Sequence, residues 1–183
     1  MRETIRIAID GSHAVGKTTL LEELRRRTRI HGITFLEEFA RPVARGFGVF
    51  RQPDWGLLFA DRSRHLAFFQ EICKVQMLEE RIAGRFIVDG SLLRNLAYAK
   101  AFGFECEQVF EDWHEIRYDF VFYCSICGEP TPDGFRYSEK QMEVDSILRG
   151  LLAADQISHL VLLPDALEAR VRSIERSLEE FSA

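Results

Sequence analysis

The sequence predicts an α/β fold built on a parallel sheet, and three observations carry that expectation. Short apolar runs alternate with stretches of helical periodicity along the chain. The first run, Ile5, Ile7, Ala8 and Ile9, leads into a glycine-bearing turn, and the helix-forming segment Thr19-Leu20-Leu21-Glu22-Glu23-Leu24 follows at once. No internal repeat or low-complexity segment breaks the pattern.

Five strands are expected, near 4–9, 32–37 (Ile33, Phe35, Leu36), 85–89 (Phe86, Ile87, Val88), 119–124 (Phe120, Val121, Phe122, Tyr123) and 158–163 (Leu160, Val161, Leu162, Leu163). Between the second and third, Phe68, Ile72, Val75 and Ile82 recur at helical spacing. Leu167, Val171, Ile174, Leu178 and Phe181 draw a similar stripe along a last helix. Both stripes are expected to face the core and carry no chemistry. Phe39 to Gly56, with Pro42, Gly46, Gly48, Pro53 and Gly56, does not read as regular structure, and neither does Gly128 to Tyr137, with Pro130, Pro132 and Gly134. Loops of this kind at strand ends are where α/β proteins place their sites.

With 183 residues, 46% hydrophobic and 29% charged, the chain reads as one globular domain over 1–183. It shows no Arg-rich or apolar leader and no apolar run near the length of a membrane span, which points to a cytoplasmic protein with no membrane partner. A net charge of −5 argues against broad nucleic-acid binding. Of the cysteines, Cys73 and Cys106 stand apart, and Cys124 and Cys127 form a lone C-x-x-C without a second pair or suitably spaced histidines. Reduced thiols are expected rather than a zinc or redox site.

The turn after the first strand is Gly11-Ser12-His13-Ala14-Val15-Gly16-Lys17-Thr18, the spacing G-x-x-x-x-G-K-[ST] of a phosphate-binding loop. Its chemistry dictates its residues. Backbone N–H groups must wrap an anion closely, so the chain bends sharply at glycines. The following helix turns its free N–H groups and positive dipole end toward the same anion. Lys17 reaches the β- and γ-phosphates, the Thr18 hydroxyl holds Mg²⁺, and Thr19 continues the binding surface. His13 fills a free position as a spacer that lines the site.

Four further positions carry candidate chemistry. Asp89 ends the run Phe86-Ile87-Val88-Asp89, where a carboxylate either holds Mg²⁺, accepts the proton of a phosphoryl acceptor, or merely caps the helix begun at Gly90-Ser91. Glu37 and Glu38 end the second strand, placed to take a substrate proton or bind a sugar hydroxyl. Arg41 suits an acceptor phosphate or the transferred γ-phosphoryl group, whereas Arg45 reads as a solvated helix residue. Arg136, in the second Pro- and Gly-rich segment, suits a lid that closes over the triphosphate.

Together these residues resemble the P-loop kinases of the nucleoside and nucleotide kinase group. Within that group the chain looks most like the small ATPase/kinase family related to the ribosylnicotinamide-kinase domain of bacterial NAD regulators. Four ordered segments carry the likeness: Gly11 to Thr18; Glu38-Phe39-Ala40-Arg41; Phe86 to Asp89 leading into Leu92 and Ala97-Tyr98; and Asp133-Gly134-Phe135-Arg136. The resemblance implies a three-layer P-loop NTPase fold whose five parallel strands run in the order 2-3-1-4-5, with a short lid at about 127–142. It also implies ATP with Mg²⁺ and transfer to a small acceptor. It sets Glu38 ahead of Glu37, and names Lys17, Glu38, Asp89 and Arg136 as catalytic. One departure stands out: many such kinases carry Asp-Arg at the end of strand three, and here Gly90 follows Asp89. Arg94, one turn along the helix, is placed to supply the missing arginine.

Two other functions compete. A nucleotide-dependent regulatory ATPase would act on a partner protein, but the chain lacks an Asn-Lys-x-Asp guanine-reading motif. A kinase acting on a polynucleotide would need a basic groove running from Arg41 past Arg51 to Arg94. A dinucleotide-binding oxidoreductase is disfavoured because G-x-G-x-x-G is absent from the first turn.

Overall fold

The computed structural model describes residues 5–27, 32–111, 117–126, 140–154 and 156–182, without the side chains of 52 and 180–182. Five strands form one all-parallel sheet: β1 (Ile5–Asp10), β2 (Thr34–Leu36), β3 (Arg85–Asp89), β4 (Phe120–Cys124) and β5 (His159–Leu162), in the order β2-β3-β1-β4-β5. All five expected strands are present, each within two residues of its expected bounds.

The central strand β1 is apolar along its length because both its faces are covered, as parallel sheets require. Ile7 and Ile9 face one layer, where Leu20, Leu21 and Leu24 of α1 (Lys17–Arg27) pack with Val171, Ile174 and Leu178 of α8 (Leu167–Ser182). Ala8 faces the other layer with Val88 and Val121. That side is built from α2 (Ala40–Gly46), α3 (Gln52–Ala60), α4 (Arg62–Ala83), α5 (Leu92–Ala101), α6 (Cys106–Val109) and α7 (Gln141–Ala154). Each fully buried leucine of α1 contributes about 2 kcal/mol by leaving water. The result is three layers, helices on both faces of the sheet.

Sequence expectation and structure differ in two places. The segment Phe39 to Gly56, expected to be irregular, contains α2 and the start of α3. Pro42 and Pro53 stand in first turns, where a missing N–H breaks no helical bond. The Asp54 carboxylate accepts from the Phe50 and Arg51 N–H groups at 2.9 and 3.0 Å, which closes the start of α3. The α4 stripe also turns out differently. It buries Phe68, Phe69, Ile72, Cys73 and Gln76, whereas Val75 is half-buried and Ile82, one residue before the helix end, is 71% exposed. On α8, Leu167 is 37% exposed, and the Phe181 side chain lies outside the described residues.

Cys73, Cys106 and Cys124 are buried, and burial pushes the Cys73 thiol up to about 12. Cys127 and the segment Gly128 to Tyr137 lie outside the described residues. Among the described residues no helix is long and apolar enough to cross a membrane.

The sheet places the site. Register pairs Ile9 with Asp89, so the carboxyl ends of β1 and β3 stand side by side. The phosphate-type loop leaves the first of these ends, and the turn into α5 leaves the second.

Candidate active site

The loop between β1 and α1 has the backbone its sequence demands. Gly11 has φ +128°, and a Cβ there would stand 2.5 Å from the Cys124 carbonyl oxygen, so the position is closed to any side chain on two counts. Gly16 has φ +80° and Ala14 +59°, the latter at a cost of about 1 kcal/mol for a non-glycine residue. Side chains from other elements grip the loop from behind. Arg170 Nη1 donates to the Val15 carbonyl at 3.0 Å, and Gln141 Nε2 donates to the His13 carbonyl at 2.9 Å. With those carbonyls held by the protein, the loop amides can serve an anion in front.

Lys17 is 7% exposed and donates through Nζ to the Ser12 carbonyl. Burial first, then the neighbouring Arg94, pulls its ammonium below the ordinary value. Thr18 Oγ1 donates to Asp89 Oδ2 at 2.5 Å. Ser91, not Asp89, caps α5, its hydroxyl accepting from the Arg94 N–H at 3.1 Å. Asp89 is thereby left facing Thr18.

Asp10 is a site residue that sequence reasoning missed. It is fully buried, accepts from the Gly11 N–H at 2.9 Å and takes the Ser91 hydroxyl. Gly90 N–H also donates to the Ile9 carbonyl at 2.9 Å. These bonds fasten the Asp89-Gly90-Ser91 turn to the end of β1. The signal was present in the sequence: a carboxylate ends the otherwise apolar Ile7-Ala8-Ile9 run, directly before the loop.

Gly90 accounts for the departure noted at the end of strand three. Arg94, 4% exposed, lays its guanidinium over Gly90, where a Cβ would meet Arg94 Cζ at 2.0 Å. From there Arg94 reaches Asp89 Oδ1 at 3.4 Å, the Asp89 carbonyl at 3.3 Å and Glu38 Oε1 at 3.9 Å. Burial pulls the Arg94 pKa down, but Glu38, then Asp89 and Asp10, outweigh it and hold it above its ordinary value.

The two glutamates separate. Glu38 pairs with Arg41 at 3.3 Å and faces the site. Glu37 is 74% exposed, pairs with Arg25 of α1 at 3.0 Å, and is not brought to the site. Neighbouring residues at a strand end point to opposite sides. Arg45 is exposed, as expected. Arg51 is 79% exposed and pairs with Asp54, while Arg94 is buried, so these two do not share a surface groove with Arg41. Arg136 lies outside the described residues.

Two cavities meet here. One is polar, lined by loop residues 13–19 together with Asp89. The other is largely aromatic, walled by Trp55, Phe59, Phe68, Phe69 and Phe102, with Arg41 and Asn95. His13, Glu38, Arg94 and Tyr98 line both. His13 Nδ1 and the Tyr98 hydroxyl are 2.9 Å apart at this junction, so His13 does more than fill space in the loop. A phosphate-binding face thus opens onto a flat-walled apolar chamber, with a carboxylate and a guanidinium between them.

A family model described as an AAA domain matches residues 6–170. No protein of curated function matches the sequence. Among solved structures, a deoxyadenosine kinase from M. mycoides with products dCMP and a flexible dCDP bound superposes with a TM-score of 0.66 at 14% identity, covering 96% of this chain and 100% of that one. The same kinase with bound dATP gives 0.66 at 13% identity, and with bound dCTP 0.66 at 14%, each over the same shares of the two chains. At such identities the likeness is one of fold. Together with the strand order, it bears out the P-loop kinase fold expected from the sequence.

Proposed function

The chain belongs to the AAA domain family, and on that footing we propose that it is a kinase that transfers the γ-phosphoryl group of ATP to a nucleoside, a nucleotide or a related small metabolite. One observation carries the proposal: the phosphate-binding cavity and the aromatic cavity share Glu38, Arg94, His13 and Tyr98. A partner-directed ATPase has no use for the second chamber. A polynucleotide kinase needs an exposed basic track, and Arg94 is buried. The solved kinase of like fold holds deoxynucleotides, which supports a nucleoside or nucleotide in the aromatic chamber here.

Each residue then has a task. Loop amides and Lys17 bind the triphosphate, with Ser12 to Thr19 forming the cradle. Thr18 and Asp89 offer two hard oxygen donors 2.5 Å apart, a pair that suits Mg²⁺. Bound there, the ion would offset phosphate charge as the phosphoryl group moves. Glu38 lines both chambers and takes the proton of the acceptor hydroxyl, while Asp89, bonded to Thr18, serves the metal. Arg94 and Arg41 balance charge around the transferred group. Arg136 keeps the lid role given by its sequence context, and the whole of 1–183 acts as one domain with a lid at about 127–142. The site works by positioning and electrostatics rather than by covalent chemistry.

The test is a transfer screen with γ-labelled ATP and Mg²⁺ against nucleosides, nucleoside monophosphates, ribosylnicotinamide and oligonucleotides. Label moving to a small acceptor is the expected result. Release of inorganic phosphate that no small acceptor alters would favour the regulatory ATPase, and label on oligonucleotide ends alone would favour the polynucleotide kinase.

A further inference from the structure

Asn95 stands on the wall of the aromatic cavity, 4% exposed, and its amide has one orientation open to it. The constraint starts at the Gly90 carbonyl, which can only accept. Gln76 Nε2 donates to it at 2.8 Å, and to Glu80 Oε1 at 2.8 Å. Gln76 Oε1 remains, and it also can only accept. Asn95 Nδ2 donates to it at 2.8 Å. Reversing either amide would set oxygen against oxygen, so a backbone carbonyl fixes both side chains in series. Asn95 Oδ1 is turned away from Gln76, and no donor meets it among the described residues.

Most of the cavity that Asn95 lines is walled by flat or apolar side chains. Ile72 lies one turn before Gln76 on α4, Phe68 and Phe69 about one turn earlier, and Trp55, Phe59 and Phe102 complete the chamber. Such walls favour the faces of a planar ring. An acceptor held in one orientation at the ring's edge then selects for a hydrogen-bond donor at that point.

Resting on the kinase reading above, we propose that Asn95 Oδ1 receives an exocyclic amino group of the acceptor's base. The protein thereby selects 6-aminopurine and 4-aminopyrimidine nucleosides over their oxo counterparts. An oxo group at the same point would place two acceptors against each other, with no donor between them. Gln76 acts as a positioning residue, because it denies the Asn95 amide its alternative orientation. The same Gln76 bond to Gly90 ties this edge of the cavity to the Asp89 turn.

The experiment compares kcat/KM for adenosine against inosine and for cytidine against uridine, in the wild type, Gln76→Leu and Asn95→Ala. The wild type is expected to favour the amino member of each pair by about tenfold or more, the effect of one unmatched buried polar atom. Gln76→Leu frees the Asn95 amide to rotate, so the ratio falls toward one and activity on the oxo members rises, a gain that a damaged fold does not produce. Asn95→Ala removes the acceptor and also collapses the ratio. A wild-type ratio near one, or a ratio unmoved in both variants, overturns the assignment while leaving the kinase standing. Absence of transfer to any nucleoside or nucleotide overturns the kinase reading, and this inference falls with it.

Discussion

Gly90 and Arg94 occupy one shared volume: the space a Cβ at Gly90 would fill holds the Arg94 guanidinium, 2.0 Å from the Cβ position. Gly90 also has φ +86°, so its replacement is strained even without the clash. Gly90→Ala is expected to lower stability by about 2 kcal/mol, combining backbone strain with displacement of a buried cation. Placed in an Arg94→Ala background, the same substitution should cost less, because the steric share is gone. Urea unfolding of the four proteins of this cycle measures the coupling. Strict additivity would mean that the two residues do not share the space.

The proposed function gives Asp89 and Thr18 to Mg²⁺. Asp89→Asn keeps an oxygen able to accept from Thr18 but removes the charge. Transfer should fall about a hundredfold or more, and the Mg²⁺ concentration for half-maximal rate should rise about tenfold. A Mg²⁺ titration of turnover reads both. An unchanged Mg²⁺ dependence would remove Asp89 from the metal site.

Glu38→Gln tests the proton acceptor. The variant retains the size of the side chain and loses its basicity. The expected outcome is a fall in kcat of about a hundred- to a thousandfold, with KM for ATP nearly unchanged. Glu37→Gln, on the exposed side of the strand end, should leave both constants close to wild type. Steady-state kinetics on the two variants separates neighbouring glutamates of equal appearance in the sequence.

Glu80 gives a pH signature to stability. Burial raises its carboxyl from 4.5 to about 7, against the opposing hydrogen bonds from Gln76 and Tyr118. The folded protein therefore holds a proton that the unfolded chain has already released. The stability associated with this group is full below about pH 4.5 and is lost as pH rises through about 7, a span of roughly 3 kcal/mol. Glu80→Gln should be more stable than wild type at pH 8 and should lose that part of the pH dependence. Denaturant unfolding at pH 5.5, 7 and 8, pH values on the order of the ~7 midpoint, checks the sign.

The phosphate loop and the five strands were legible because their physics restricts residue type. Gly11 has to be glycine beside the Cys124 carbonyl, and β1 has to be apolar on both faces. Glu38, Asp89 and Arg94 were legible as candidates by their positions at strand ends and one turn beyond. Other features depend on contacts between distant elements. The helices α2 and α3 were hidden because proline in a first turn looks like proline in a loop. Glu37 and Glu38 differ only in the side of the strand end they face. Phe68 reads as core by its spacing, and it becomes a cavity wall only once Trp55, Phe59 and Phe102 are brought against it from other helices. The Gln76–Asn95 pair joins α4 to α5 across 19 positions, which no local pattern reveals.

Lys17 gives the most direct test of the central claim, that this protein moves the γ-phosphoryl group of ATP to a small acceptor. Label transfer from γ-labelled ATP to the best acceptor of the screen should be measured side by side for wild type and Lys17→Ala, with folding of both confirmed by thermal unfolding. The expected result is transfer by the wild type and its loss, by about a thousandfold or more, in the variant. Equal transfer by a folded Lys17→Ala protein would contradict the account.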